Sequence, residues 1–123
     1  KISSSNSVFE LMQPVIGDLP HEEFWVVYLN NSNKVIDRFQ LSKGGITGTL
    51  VDVRLALKKA LELGATSIIL SHNHPSGTLN PSSADKQLTQ KLKTAGDSLD
   101  IKILDHVIVT EKSYFSFADE GLL

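Results

Sequence analysis

The stretch that most constrains this chain runs from Ile68 to Asp85. It reads Ile68-Ile69-Leu70, then Ser71-His72-Asn73-His74-Pro75-Ser76-Gly77, then Thr78-Leu79-Asn80-Pro81-Ser82-Ser83-Ala84-Asp85. An apolar run that ends in a proline- and glycine-bearing loop predicts a buried strand over 67–71 and a loop after it. Alternate residues of an extended chain share a face, so His72 and His74 point the same way if the strand runs on past Leu70. Pro75 biases His74 toward extended backbone, because its ring clashes with an α-conformed predecessor. Gly77 permits a turn with positive φ. Pro81 suits the opening of a helix, and Asp85 then falls inside its first turns. If that helix packs beside the strand, the Asp85 carboxylate reaches both imidazoles.

Two histidines and one carboxylate are three ligands, and they leave the fourth tetrahedral position of zinc open to water. The same set also holds non-haem Fe(II), so ligand type alone does not fix the metal. Spacing alone leaves Asp85 open between ligand and structural acid. Ser82-x-x-Asp85 resembles a capping box, and an acid in the first turn favours the positive end of the helix dipole. Ser82 reads equally as an N-cap.

The remaining sequence frames this stretch as one domain. A chain of 123 residues buries roughly two thirds of its unfolded surface, enough for a core. No apolar run is long enough for a transmembrane helix, and no Lys/Arg-led apolar segment resembles a signal peptide. Zero cysteines exclude disulfides and thiolate ligands, and with them the zinc deaminases. This composition suits a cytoplasmic protein. No His-Glu-x-x-His is present, which excludes the thermolysin type of site. The net charge of −2 argues against autonomous DNA binding.

Strand and helix signals alternate. Ser7 is positioned to cap a short helix carrying Val8, Phe9, Leu11, Met12 and Val15, with Pro14 limiting or kinking it. Residues 22–29 read as a strand, Asn30-Asn31-Ser32-Asn33 as a hairpin turn, and 34–41 as the returning strand. Gly44-Gly45 and Gly48 form a flexible connection. Residues 51–63 have helical periodicity with Gly64 as the stop. Residues 82–95 form a second amphipathic helix, with Ala84, Leu88 and Leu92 on its apolar face. Residues 101–110 and 114–117 are the last strands. The pattern predicts an α/β fold: a single mixed sheet flanked by helices.

The spacing His72-x-His74, seven residues, Ser82, two residues, Asp85 resembles the JAMM/MPN+ metallopeptidase signature. The fuller text, His-Asn-His-Pro-Ser-Gly over 72–77 and Pro-Ser-x-x-Asp over 81–85, resembles the JAMM domain of the bacterial RadC proteins. The resemblance begins at Leu-Pro-His-Glu-Glu-Phe (19–24). It includes Leu104-Asp105-His106 and Ser116-Phe117-Ala118, and runs to the closing Gly-Leu-Leu. It implies a JAMM/MPN architecture, which is cytidine-deaminase-like, over 19–123, preceded by a 1–18 segment with a short helix. The chain begins with Lys rather than Met, which fits a fragment; the N-terminal helix-hairpin-helix region of RadC-like proteins is not in it.

The resemblance also assigns roles. His72, His74 and Asp85 become ligands of Zn2+. Ser82 becomes a donor to the developing oxyanion. The RadC-like glutamate lies two residues before Phe, which selects Glu22 over Glu23 as the base that activates the zinc-bound water. Glu22 also shares the face of Phe24 and Val26. The plain alternative leaves both glutamates as solvated charges at a strand edge.

The implied activity is a zinc-dependent metallohydrolase cleaving a peptide or isopeptide bond in a peptide or protein substrate. Deubiquitination is not implied, because bacteria of this type generally lack ubiquitin. Two other readings stand beside it. One is a DNA-repair-associated module with repair partners, which the RadC label suggests. The other is a catalytically silent protein-interaction domain. Asp105 and His106 read as a satisfied structural pair or as groups behind the metal, with the first preferred. Arg54 reads as an ion-pair former, His21 as a surface residue, and Trp25 as core or interface.

Overall fold

The structure, a computed structural model, describes residues 1–43 and 51–123. The connection read at Gly44-Gly45 and Gly48 lies outside the described residues. The elements in chain order are α1 (Ser5–Ile16), β1 (Glu23–Leu29), β2 (Val35–Lys43), α2 (Val53–Leu63), β3 (Ser67–Asn73), α3 (Ser83–Asp97), β4 (Lys102–Val109) and β5 (Tyr114–Ser116).

The five strands form one mixed sheet in the order β2-β1-β3-β4-β5. β1 pairs antiparallel with both β2 and β3, β5 pairs antiparallel with β4, and β3 runs parallel to β4. A parallel pair needs a crossover connection, and α3 supplies it. β3 is central and every residue in it is buried. A strand covered on both faces shows no apolar–polar alternation, which explains the unbroken Ile68-Ile69-Leu70 run.

The helices divide between the two faces. On one, Phe24, Val26, Ile68 and Leu70 pack with Ala56 and Ala60 of α2 and Leu88 and Leu92 of α3. Tyr28 is fully buried there, and its hydroxyl donates to the Ala56 carbonyl at 2.8 Å. On the other, Val27, Leu29, Ile69, Val107 and Val109 pack with Val8, Met12 and Ile16 of α1. Each fully buried Leu or Ile contributes roughly 1.5–3 kcal/mol over its exposed state. Among the described residues, no helix is long and apolar enough to cross a membrane.

Local signals set most element ends. Asp52 caps α2 by accepting from the Arg54 and Leu55 N–H groups, and Gly64 closes it at φ 67°. The β1–β2 hairpin turns on Asn30, whose side chain accepts from the Ser32 and Lys34 N–H groups, and on Asn33 at φ 57°. One expectation shifts. α1 is capped by Ser4, which accepts from the Ser7 N–H, so the helix starts earlier than a Ser7 cap predicts. It also continues past Pro14 to Ile16. Proline removes one backbone hydrogen bond, but fully buried Ile16 anchors the last turn against the sheet.

Candidate metal centre

The site forms where β3 leaves the sheet beside the first turns of α3. His72 lies opposite Phe24 in the β1–β3 register. Paired residues share a face, so His72 points to the side covered by α2 and α3. His74 stands just past the strand, and its N–H donates to the Val109 carbonyl at 3.1 Å. That bond keeps the chain extended far enough for both imidazoles to share the face. Gly77 then turns the chain at φ 87°, with its N–H on the His74 carbonyl.

α3 delivers the third group. Ser82 Oγ accepts from the Asp85 N–H at 3.0 Å, and the Ser82 N–H donates to Asp85 Oδ2 at 2.8 Å. The capping box is therefore real, and Asp85 both caps the helix and faces the two histidines. A carboxylate has two oxygens and about four acceptor positions, so the cap leaves capacity to spare. Asp85 Oδ1 lies 3.4 Å from His72 Nε2, and Oδ2 lies 3.7 Å from His74 Nε2. The two Nε2 atoms are 3.0 Å apart. One donor atom from each of His72, His74 and Asp85 lies within 4.8 Å of the others.

The protons at this cluster test its fit to a metal. His74 Nδ1 lies 2.8 Å from the Thr78 carbonyl, which can only accept. Nδ1 therefore carries the hydrogen, and Nε2 of the neutral ring presents a lone pair to the site. Two imidazole nitrogens held by one tetrahedral zinc sit roughly 3.3 Å apart, a few tenths of an ångström from the distance found. The donor set suits zinc and also Fe(II). His72, His74 and Asp85 form a cluster able to hold a metal ion.

Charge follows from this geometry. The hydrogen bond with Asp85 raises the His74 pKa above its ordinary value, burial opposes it, and the Thr78 carbonyl and the Glu22 charge add to it. Burial alone would raise Asp85, but its contacts with the His72 and His74 rings outweigh it and depress its pKa strongly.

The two glutamates part company. Glu23 is committed elsewhere: its Oε2 lies 2.8 Å from His21 Nε2, and Trp25 Nε1 donates to its Oε1 at 3.0 Å. Burial pushes the Glu23 pKa up, yet these two hydrogen bonds outweigh it and the net shift is downward. Glu22 stands one residue before β1, and its charge reaches His74. His21 is half-exposed and pairs with Glu23 rather than standing alone at the surface. Trp25 packs half-buried against the α1-side cluster. Arg54 pairs with Asp52 at 3.4 Å in open solvent.

Asp105 and His106 do not act as a pair of side chains. Asp105 faces Ser116, whose hydroxyl donates to it at 2.6 Å, and it accepts from the Ala118 N–H at 3.0 Å. His106, one residue on, lies on the opposite face of β4. Its Nε2 is 2.8 Å from His72 Nδ1. Adjacent strand residues project to opposite faces, so Asp105 is satisfied among Ser116 and Ala118 while His106 stands behind His72.

Two contributors escape a search for ligands. Asn73, between the two histidines, projects to the other face. Its Oδ1 accepts from the Glu23 N–H at 2.7 Å, and its Nδ2 donates to the His21 carbonyl at 2.9 Å. It thereby clamps the backbone on both sides of Glu22. Thr89 lies on the buried face of α3, one turn after Asp85. The i, i+4 spacing of Asp85 and Thr89 was the available signal for it. Ala84, expected on that face, is only half-buried.

A protein named "UPF0758 protein" from Flavobacterium johnsoniae is 69% identical over 122 residues, covering 99% of this chain and 53% of its own length. Proteins of the same name from Porphyromonas gingivalis and Chlorobaculum parvum are 48% and 46% identical over 123 residues. These cover 99% and 100% of this chain, and 54% and 55% of their own lengths. The chain thus spans about half the length of the curated relatives it matches. The sequence model of the family described as "RadC-like JAB domain" matches residues 2–122. With nearly every residue inside that match, α1 included, the chain belongs to the RadC-like JAB domain family and has its α/β fold.

Proposed function

We propose that this domain is a zinc-dependent metallohydrolase of the JAMM type that cleaves an amide bond in a peptide or protein, the isopeptide bond included. The observation that carries the reading is the convergence of His72 Nε2, His74 Nε2 and an Asp85 oxygen within 4.8 Å, beside a glutamate whose charge reaches His74. Zinc supplies Lewis acidity there, polarising a carbonyl and lowering the pKa of a water toward roughly 7.

The chain's own residues do the rest. His72, His74 and Asp85 would hold the ion. Glu22 takes the proton from the attacking water and returns it to the leaving amine. The Asn73 clamp holds Glu22 in place from the flanking backbone. Ser82 Oγ accepts from the Asp85 N–H, and its own O–H remains to be given to the carbonyl oxygen as negative charge develops. A groove of about 360 Å3 borders His74, between the loop carrying Pro75 and Gly77 and the segment Thr110–Ser113. It is the route by which we bring an extended substrate to the site.

The test is a peptide and isopeptide library offered to the zinc-loaded protein, with Glu22→Gln as control. The expected result is cleavage that Glu22→Gln lowers by at least about a hundredfold, the scale of a lost general base. Zinc uptake without cleavage of any library member would sink the hydrolase reading in favour of an interaction domain. Equal cleavage by Glu22→Gln would remove Glu22 as the base.

A further inference from the structure

Behind the metal cluster lies a chain of hydrogen bonds that joins three elements. The Thr89 hydroxyl on α3 donates to the Asp85 carbonyl at 2.7 Å. Its oxygen lies 2.6 Å from His106 Nδ1 on β4. His106 Nε2 lies 2.8 Å from His72 Nδ1 on β3. All three side chains are buried.

The protons in this chain have one consistent order. A carbonyl only accepts, so the single Thr89 proton is committed to Asp85. Thr89 Oγ1 must then accept from His106, which places the His106 hydrogen on Nδ1. A neutral His106 has a bare Nε2, which accepts from His72 Nδ1–H. His72 Nε2 is left with a lone pair aimed at the cluster. His106 is fully buried between the Phe24 and Phe117 rings, and its two ring nitrogens meet the Thr89 hydroxyl and the His72 ring rather than a carboxylate, so nothing at the ring favours a second proton.

We propose that Thr89 and His106 are positioning residues that set the tautomer of His72, so that its Nε2 is presented bare to the metal. The relay ends on the backbone of Asp85, so it also ties the helix that carries one ligand to the strand that carries another. A metal-ligating histidine ordinarily donates its second N–H to an acidic or carbonyl acceptor. Here that acceptor is a second imidazole, which can face either way, and the threonine decides which. The inference rests on the metal reading of His72, His74 and Asp85.

Two measurements test it, and they fail separately. The first is long-range 15N–1H correlation NMR of the histidine rings in the metal-free protein at mildly alkaline pH. Hydrogen on Nδ1 of both His72 and His106 is expected; hydrogen on His72 Nε2 would overturn the relay. The second is zinc affinity by competition with a chromophoric chelator, for wild type, Thr89→Val and Thr89→Ser. Thr89→Val conserves shape and is expected to weaken zinc binding about 10- to 100-fold, with Thr89→Ser close to wild type. Equal affinity in Thr89→Val would overturn the relay, because a threonine serving only helix packing would lower stability and leave affinity unmoved. Wild-type protein that binds no zinc, yet shows the expected ring protons, would sink the metal reading and support the relay on its own.

Discussion

Asp105 and His106 are neighbours on one strand, yet they belong to two buried polar clusters of opposite design. In the Asp105 cluster, donors point at a carboxylate. The Ser116 hydroxyl and the backbone N–H groups of Ala118 and His106 all donate to it, at 2.6, 3.0 and 2.7 Å. Burial raises the Asp105 pKa, and these donors hold it down only in part. Nothing further is needed to satisfy that group. In the His72–His74–Asp85 cluster, acceptors point at one another. With hydrogen placed on the far nitrogens of both rings, three lone-pair donors converge with no proton between them. Such an arrangement calls for a cation, and the raised pKa of His74 shows the same pull on a proton. Burial of polar groups is common to both clusters; the direction of their hydrogens separates scaffold from site.

The largest expected effect breaks the comparison at the open cluster. Zinc at a thousandfold excess over its dissociation constant should stabilise the domain by about 4 kcal/mol, read from denaturant unfolding. His74→Ala should lose that gain entirely while the metal-free protein stays folded. A zinc-dependent gain that survives in His74→Ala would show the ion binding elsewhere.

At the closed cluster the order reverses. Asp105→Ala leaves its buried donors without an acceptor and should cost about 2–3 kcal/mol. Its zinc affinity should match wild type. A loss of zinc affinity in this variant would mean that the two clusters are coupled through β4.

Next comes pH. The folded pKa of His74 is raised above 6.5, so its contact with Asp85 stabilises the metal-free fold fully below that value. This stability is lost as pH rises through the raised pKa. Zinc needs the neutral ring, so its affinity should run the other way, falling about tenfold per pH unit below that pKa. The depressed Asp85 adds no proton competition in this window. Chelator competition across the range checks it, and a flat profile would place the competing proton off His74.

The smallest effect sharpens the double use of Ser82 and Asp85. Ser82→Ala removes an N-cap and should cost about 1 kcal/mol. If Ser82 also serves catalysis, its variant loses turnover out of proportion to stability, whereas Asp52→Ala does not.

Much of this was legible in the sequence, for reasons that are local. Pro75 and Gly77 shape the loop, Ser82 and Asp85 form a cap within four residues, and His72 and His74 share a face through strand alternation. Gly64 and Asn33 supply positive φ where the chain turns. The choice between Glu22 and Glu23 was drawn from resemblance and strand parity. The structure adds that Glu23 is held by His21 and Trp25, contacts that sequence did not carry.

The alternation of strands and helices, the apolar β3 and the spacing of the three ligand candidates follow from the chain by itself. The capping box does too, because each needs only short-range geometry and burial pattern. Only the tertiary structure decides that Asp85 caps and faces the histidines at once, since that depends on how α3 crosses back over β3. It alone decides which of the two faces of β4 meets the histidine cluster, and so which of Asp105 and His106 stands behind His72. It alone brings Thr89 to His106 and His106 to His72, across 17 and 34 residues of sequence. Hydrogen-bond direction is a property of groups held together in space, and no spacing along the chain encodes it.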